Sequence, residues 1–229
     1  MINVAIDGPA GAGKSTISRR AAKEIGYIYI DTGALYRTVG LNALRKGIDI
    51  NSPDDIVSTL TDDLKVELRF VDGEQRMFLN GEDVSDKIRT PEASMAASKV
   101  SAVPAVRAYL FDLQKKLAAE NNCIMDGRDI GTVVLPDADV KIFLTASTEA
   151  RARRRYLELV EKGNRVNYAD VLKDMEYRDA QDTGRETAPL RAAEEAVIID
   201  SSEIGFEETF NILFDVVTNR ILVSESNNE

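Results

Sequence analysis

The run Gly8-Pro9-Ala10-Gly11-Ala12-Gly13-Lys14-Ser15-Thr16 contains the spacing G-x-x-x-x-G-K-S. In such a loop the backbone amides close around a phosphate, the lysine reaches the β and γ oxygens of a triphosphate, and the serine hydroxyl ligates Mg²⁺. A glycine turn that merely joined a strand to a helix would not need the Lys14–Ser15 pair. The flanks agree with the phosphate reading. The apolar stretch from Ile2 to Ile6 reads as a strand, and Ile17, Ala21 and Ile25 recur at helical spacing. Residues 8–16 are therefore expected to hold the phosphates of a nucleotide.

What receives the phosphoryl group is a separate question. The motifs D-x-x-G and N-K-x-D of GTPase switches occur nowhere in the chain. A kinase that acts on a hydroxyl usually needs a carboxylate to accept the proton, whereas a phosphate monoester, with a second pKa of about 6, is already mostly dianionic at neutral pH. Such an acceptor needs cations instead, to hold two mutually repelling polyphosphates in line. The chain carries 18 arginines against 11 lysines, and eight of the arginines fall between Arg151 and Arg191. Arg151, Arg154 and Arg155 share one helical face, and Arg178, Asp182 and Arg185 recur at i, i+4 and i+7 if their helix persists past Gly184. Ordinary surface pairs such as Arg178–Asp182 and Glu149–Arg153 would account for part of this pattern without any function.

Composition narrows the alternatives. With 29 basic and 39 acidic side chains the net charge is −10, which disfavours a surface built to neutralise nucleic acid, so anion binding must be local. The absence of histidine removes imidazole bases, His-bearing triads and most zinc sites. The lone cysteine, Cys123, heads an apolar run and reads as a buried thiol in a reducing, cytoplasmic setting. No stretch approaches the ~18 to 20 apolar residues of a membrane helix, and the N-terminus lacks the layout of a signal peptide.

The elements that position these residues alternate. Short apolar strands are expected at Ile2–Ile6, Tyr27–Ile30, Cys123–Met125, Val140–Leu144 and Ala196–Ile199, with helices between or after them, which argues for a parallel sheet covered on both faces. Two excursions interrupt the rhythm. Alternation from Lys65 to Phe70, a turn at Asp72-Gly73, a return at Met77–Leu79 and a second turn at Asn80-Gly81 predict an antiparallel meander. Thr90-Pro91 and Pro104 then open two helices, the second running toward Glu120. Residues 151–189 form an arginine-rich interval of two helices around Gly163, and Ser224–Glu229 reads as a frayed polar tail.

IDGPAGAGKST, YIDTGALYR (Tyr29–Arg37), RTPEASMAASKVSAVPAVR (Arg89–Arg107), DGRDIGTVVLPDADVKIFL (Asp126–Leu144) and YRDAQDTGRETAPL (Tyr177–Leu190) together resemble the bacterial cytidylate kinases, in order and over nearly the whole chain. DGRDIGTVV combined with the phosphate loop is far more specific than the loop alone. The resemblance implies an α/β nucleoside monophosphate kinase fold with a five-stranded parallel sheet flanked by helices. It implies a core of about residues 1–32, 121–150 and 190–229, an enlarged monophosphate-binding lobe of about 33–120, and a mobile helical lid of about 151–189. It also implies a monomer that phosphorylates CMP, and dCMP, from ATP with Mg²⁺, and no nucleic-acid or membrane partner.

Carried onto this chain, the family pattern implies that Thr32, Arg37 and Arg128 form part of the acceptor site, with the two arginines gripping the CMP phosphate. Ser98, Arg107 and Asp129 read the cytosine. Arg178 and Asp182 contact the ribose, and Arg185 a phosphate near the transfer point. Lys14, Arg128, Arg154 and Arg185 are the expected catalytic cations, and Ser15 with Asp126, acting through a water, the expected Mg²⁺ contacts. Ala93 and Met95 depart from the pattern, standing where larger or branched apolar and polar residues respectively would be expected. Two other chemistries stay open at this point, a P-loop kinase with a hydroxyl acceptor and a P-loop ATPase acting as a switch.

Overall fold

Strand β1 (Asn3–Asp7) lies at the centre of a five-stranded parallel sheet with β2 (Ile28–Asp31), β6 (Cys123–Gly127), β7 (Val140–Thr145) and β8 (Val197–Asp200), in the order β2-β6-β1-β7-β8. The computed structural model describes residues 1–226. Each strand expected from the apolar runs is present, displaced by at most one or two residues at its ends. Successive residues of β1 serve opposite faces, as the twofold period of a strand requires. Val4 and Ile6 pack with Ile17 and Ala21 of α1 (Lys14–Ile25) and with Leu213 and Val217 of α8 (Phe206–Ser226), while Ala5 packs with Ile30, Met125 and Ala118 on the other side. Burial on both faces explains why these strands read as continuous apolar runs. Cys123 belongs to this interior. Its thiol donates to Asn3 Oδ1 at 3.1 Å, and burial pushes its pKa up to about 12.

The first excursion has its own core. Helix α2 (Thr32–Arg45), α3 (Pro53–Ser58), the meander β3 (Val66–Val71), β4 (Glu74–Leu79) and β5 (Glu82–Asp83), α4 (Pro91–Val100) and α5 (Pro104–Glu120) enclose Leu35, Val39, Ile56, Met77, Val84, Val100 and Leu110. Both hairpin turns use the left-handed region, at Asp72-Gly73 (φ 53° and 78°) and Asn80-Gly81 (φ 51° and 85°), which is the chemistry the dipeptides encode. Thr90 caps α4 by accepting from the Ala93 amide at 3.0 Å, and Pro91 and Pro104 occupy the first turns of their helices as expected. Ala93 and Met95 lie on a helix that packs closely on α2. Ala93 and Ala96 are fully buried, Met95 is half-buried, and a Cβ on Gly40 of α2 would come within 2.9 Å of Ala96 Cβ, so α2 and α4 cross closely on small residues.

The second excursion is a pair of helices, α6 (Thr148–Glu161) and α7 (Tyr168–Gly184), joined through Gly163 at φ 78°. Helix α7 stops at Gly184, and Arg185 has extended backbone (φ −69°, ψ 141°), so the expected helical i+7 spacing to Arg185 does not hold. Of the tail expected at 224–229, helix α8 runs to Ser226 and residues 227–229 lie outside those described. No helix among the described residues is long and apolar enough to cross a membrane.

Candidate active site

The phosphate loop leaves β1 at Gly8, whose φ is +150° and where a Cβ would lie 1.9 Å from the Leu144 carbonyl oxygen, so only glycine fits between β1 and β7. Lys14 opens α1 with its side chain buried and folded back over the loop, donating to the carbonyls of Gly8 at 2.7 Å and Pro9 at 2.8 Å. Burial, and after it repulsion from Arg128, lowers its pKa to about 7. At the next position Ser15 Oγ donates to Asp126 Oδ2 at 2.8 Å, and the Tyr29 hydroxyl donates to the other carboxylate oxygen at 3.3 Å. Asp126 stands next to last in β6, beneath the loop. Burial and then the charge of Asp31 raise its pKa to about 6.

Beside the loop lies a cleft of about 80 Å³. Its walls include all nine acceptor-side residues named from the sequence: Thr32 and Arg37 from α2, Ser98 from α4, Arg107 from α5, Arg128 and Asp129 after β6, and Arg178, Asp182 and Arg185 from α7 and its end. Carboxylates hold most of its cations. Arg107 pairs with Asp129 and Arg128 Nε donates to Asp182 at 2.6 Å, while Arg37 donates to Asp31, outside the cleft wall, at 2.6 Å. Arg185 lies 3.8 Å from the Asp129 carboxylate and donates to the Ala188 carbonyl at 2.6 Å. Asp182 thus turns to Arg128 across the cleft and away from the surface pairing with Arg178 that spacing alone allowed. Burial acts to raise the Asp182 pKa, but the Arg128, Arg185 and Arg178 guanidinium groups, Arg128 foremost, together hold the carboxyl below its usual value. At Asp129 burial wins over Arg107 and Arg185, and the pKa is raised. Arg178 is pushed down, first by burial and then by Arg128.

The profile of the cytidylate kinase family matches residues 4–219. The chain belongs to the cytidylate kinase family. A cytidylate kinase of Caldicellulosiruptor saccharolyticus is 50% identical over 224 residues, covering 96% of this chain and 99% of that protein. Those of Caldicellulosiruptor bescii and Geobacter sulfurreducens are each 51% identical, over 96% and 95% of this chain and 99% and 93% of their own lengths. The protein is accordingly a kinase, a phosphotransferase of the nucleoside monophosphate class, on a P-loop α/β fold.

Of the other arginines picked out by position, none lines the cleft. Arg154 donates to the Ser201 carbonyl and, at 3.1 Å, to its hydroxyl, and Arg155 pairs with Glu158. Arg151 is buried and ties three parts together, donating to Ala10 of the phosphate loop at 3.0 Å, to Ala146 at 2.8 Å and to Asp179 of α7 at 2.6 Å and 2.9 Å. Two residues inside IDGPAGAGKST and YIDTGALYR carry no expected role from the sequence. Asp7 accepts from the amides of Ile130 and Gly131, both at 2.7 Å, and so pins the π-helical turn Ile130–Val134 that follows Arg128 and Asp129. Its only sequence signal is an acid at the end of an apolar strand, directly before Gly8. Asp31, the cap of α2, holds Arg37, and its signal is an acid six residues before an arginine.

Proposed function

We propose that this kinase transfers the γ-phosphoryl group of ATP to the phosphate of CMP and of dCMP, forming the diphosphate and ADP, with Mg²⁺ required. The observation that carries the acceptor assignment is the Arg107–Asp129 pair, buried in the wall of the cleft that also holds Arg37 and Arg128. An ionised carboxylate only accepts and a guanidinium only donates. Asp129 therefore suits the amino hydrogens of cytosine and Arg107 its N3 lone pair, while uracil offers the reverse pattern to both. Ser98 completes the base site, Arg178 and Asp182 the ribose site, and Thr32, donating to the Asp126 carbonyl at 2.7 Å, fixes the junction between them and the phosphate loop.

In the transfer, the loop amides of residues 8–16 hold the donor. Lys14 exchanges the Gly8 and Pro9 carbonyls for β and γ oxygens, and Arg37 and Arg128 align the attacking phosphate. No base is needed, because the attacking oxygen is already ionised. Arg185 balances charge on the transferred group, joined by Arg154 once it leaves Ser201. Ser15 and Asp126 offer adjacent hard oxygens, a donor set that fits Mg²⁺ when phosphate oxygens and water complete the shell. Held there, Mg²⁺ would supply positive charge against the donor phosphates.

A cleft of about 80 Å³ is well below the several hundred Å³ of a typical ligand pocket, which supports a moving lid. We assign core, acceptor lobe and lid to residues 1–32 with 121–150 and 190–229, 33–120, and 151–189. The test is ADP release from ATP against a panel of nucleoside monophosphates, sugars and shikimate-like alcohols. CMP and dCMP should stimulate it most. Stimulation by an alcohol in their place, or release indifferent to any acceptor, would refute the assignment.

A further inference from the structure

Gln75 belongs to the inserted meander, yet its side chain reaches the parallel sheet. Its Oε1 accepts from the Asp31 amide at 2.8 Å, and its Nε2 donates to the Asp31 carbonyl at 3.3 Å and to Met77 Sδ at 3.3 Å. Strand β2 is the edge of the five-stranded sheet, so one carboxamide supplies Asp31 with the donor and acceptor that a neighbouring strand would have given. Asp31 in turn has both carboxylate oxygens committed. Oδ1 caps α2 through the Ala34 amide at 2.9 Å, and Oδ2 accepts from Arg37 at 2.6 Å. Arg37 depends on that contact, since its Nε is buried with no partner among the described residues.

Around this chain of contacts the meander stands off from the sheet. A cavity of about 330 Å³ separates its tip, Asp72–Gln75, from Arg19 and Lys23 of α1, and Arg37 lines both this cavity and the acceptor cleft. Space on one side of Arg37 and the cleft on the other leave Asp31 as the group that fixes where the guanidinium lies.

We infer that Gln75 is a positioning residue that, through Asp31, sets Arg37 for the acceptor phosphate and couples the meander to acceptor binding. The inference rests on the proposed role of Arg37. Because coupling between two sites is reciprocal, an acceptor phosphate on Arg37 must also change how firmly the meander holds Asp31.

The test compares Gln75→Ala and Gln75→Met with Arg37→Met and Asp31→Asn, each checked for a cooperative thermal transition. Gln75→Met keeps the side-chain length, so the comparison survives if the alanine variant does not fold. Both Gln75 variants should raise the KM for CMP about fivefold or more while kcat and the KM for ATP stay within about twofold, the pattern of lost acceptor binding. Asp31→Asn keeps a capping oxygen but loses the charge on Arg37, so adding Gln75→Met to it should raise the KM little further. Slower hydrogen exchange at the Asp31 amide on adding CMP should be seen in the wild type and lost in the Gln75 variants. An unchanged KM for CMP in both Gln75 variants, with a raised one in Arg37→Met, would overturn the inference and leave the acceptor site standing. Fully additive effects of Gln75→Met and Asp31→Asn would also overturn it. An unchanged KM in Arg37→Met would instead refute the acceptor role of Arg37, and the inference with it.

Discussion

Replacing Asp129 by asparagine keeps the shape of the side chain and removes its charge. Asp129 is 3% exposed, Arg107 8% and the Arg185 side chain 6%, so the substitution leaves two buried guanidinium groups facing a neutral amide. Deleting one partner of a buried pair outright costs about 3–5 kcal/mol, and an isosteric amide that still accepts one hydrogen bond should cost less, about 1–3 kcal/mol. In a domain of this size that lowers the thermal midpoint by roughly 2–12 °C. The effect on selectivity is distinct. The carboxylate favours the cytosine amino group and faces the uracil O4 lone pairs with no proton to share, whereas the amide can rotate its NH₂ toward O4. A buried hydrogen bond to a charged group is worth about 1.5–3 kcal/mol, so losing even the lower part of that range on CMP while gaining a weak one on UMP shifts the CMP:UMP ratio of kcat/KM by at least about tenfold. The assay is ADP release at saturating ATP with each monophosphate, alongside thermal unfolding of the same preparation. A fall in stability with an unchanged ratio, both substrates being slowed equally, would make Asp129 a counter-ion for Arg107 and Arg185 and refute base reading.

Lys14→Ala should abolish transfer at saturating CMP, because the charge it places on the β and γ oxygens is felt most in the transition state, and a near-normal kcat in steady-state assays would contradict the phosphate-loop mechanism. Hydrogen exchange across residues 151–189 should slow on adding a bisubstrate analogue that spans both sites, and exchange indifferent to that ligand would refute the lid assignment. Asp7 has its pKa raised from 3.8 to about 6 by burial, against the Ile130 and Gly131 amides, so the folded state binds the extra proton and the stability this gives is complete below pH 3.8 and lost as pH rises through about 6. The stability of wild type relative to Asp7→Asn, from urea unfolding at a series of pH values, should therefore fall by up to about 3 kcal/mol between pH ~4 and ~7, and a flat difference would refute the shift.

Much of the fold was legible because local chemistry and burial agree. Asp72-Gly73 and Asn80-Gly81 require left-handed backbone and sit where two-residue turns put it, Thr90-Pro91 carries both cap and first-turn signals, and the buried strands are apolar on both faces. Helix ends set by tertiary contacts were less legible. Asp182, Thr183, Gly184 and Arg185 would continue a helix on spacing, but Leu190 returns its amide to the Asp182 carbonyl at 2.8 Å and Arg185 turns to the Ala188 carbonyl, so the chain doubles back after Gly184. The π-helical turn at Ile130–Val134 has no local signal either, since it exists through the carboxylate of Asp7, 123 residues earlier, and an Ile130 carbonyl that accepts from Leu135 at 2.6 Å.

The cations of the site could be picked out in the sequence, but their partners could not, and the partners decide how the site works. Arg37 rests on Asp31, Arg107 on Asp129, Arg128 on Asp182, and Lys14 on two carbonyls of its own loop. These contacts join residues 5 to 54 positions apart, and no spacing rule links Arg128 to Asp182. Their effect is to hold concentrated positive charge, partly or wholly buried, against hydrogen-bond acceptors in a protein of net charge −10. On the proposed reading, an incoming phosphate would replace the carboxylate partners of these arginines and meet cations already buried, which would lower the reorganisation needed at the moment of transfer. The depressed pKa of Lys14 follows from the same crowding, because burial and Arg128 weigh against its proton more than Asp126, Asp182 and Asp7 weigh for it. A triphosphate beside Lys14 would add negative charge and so favour the protonated ammonium.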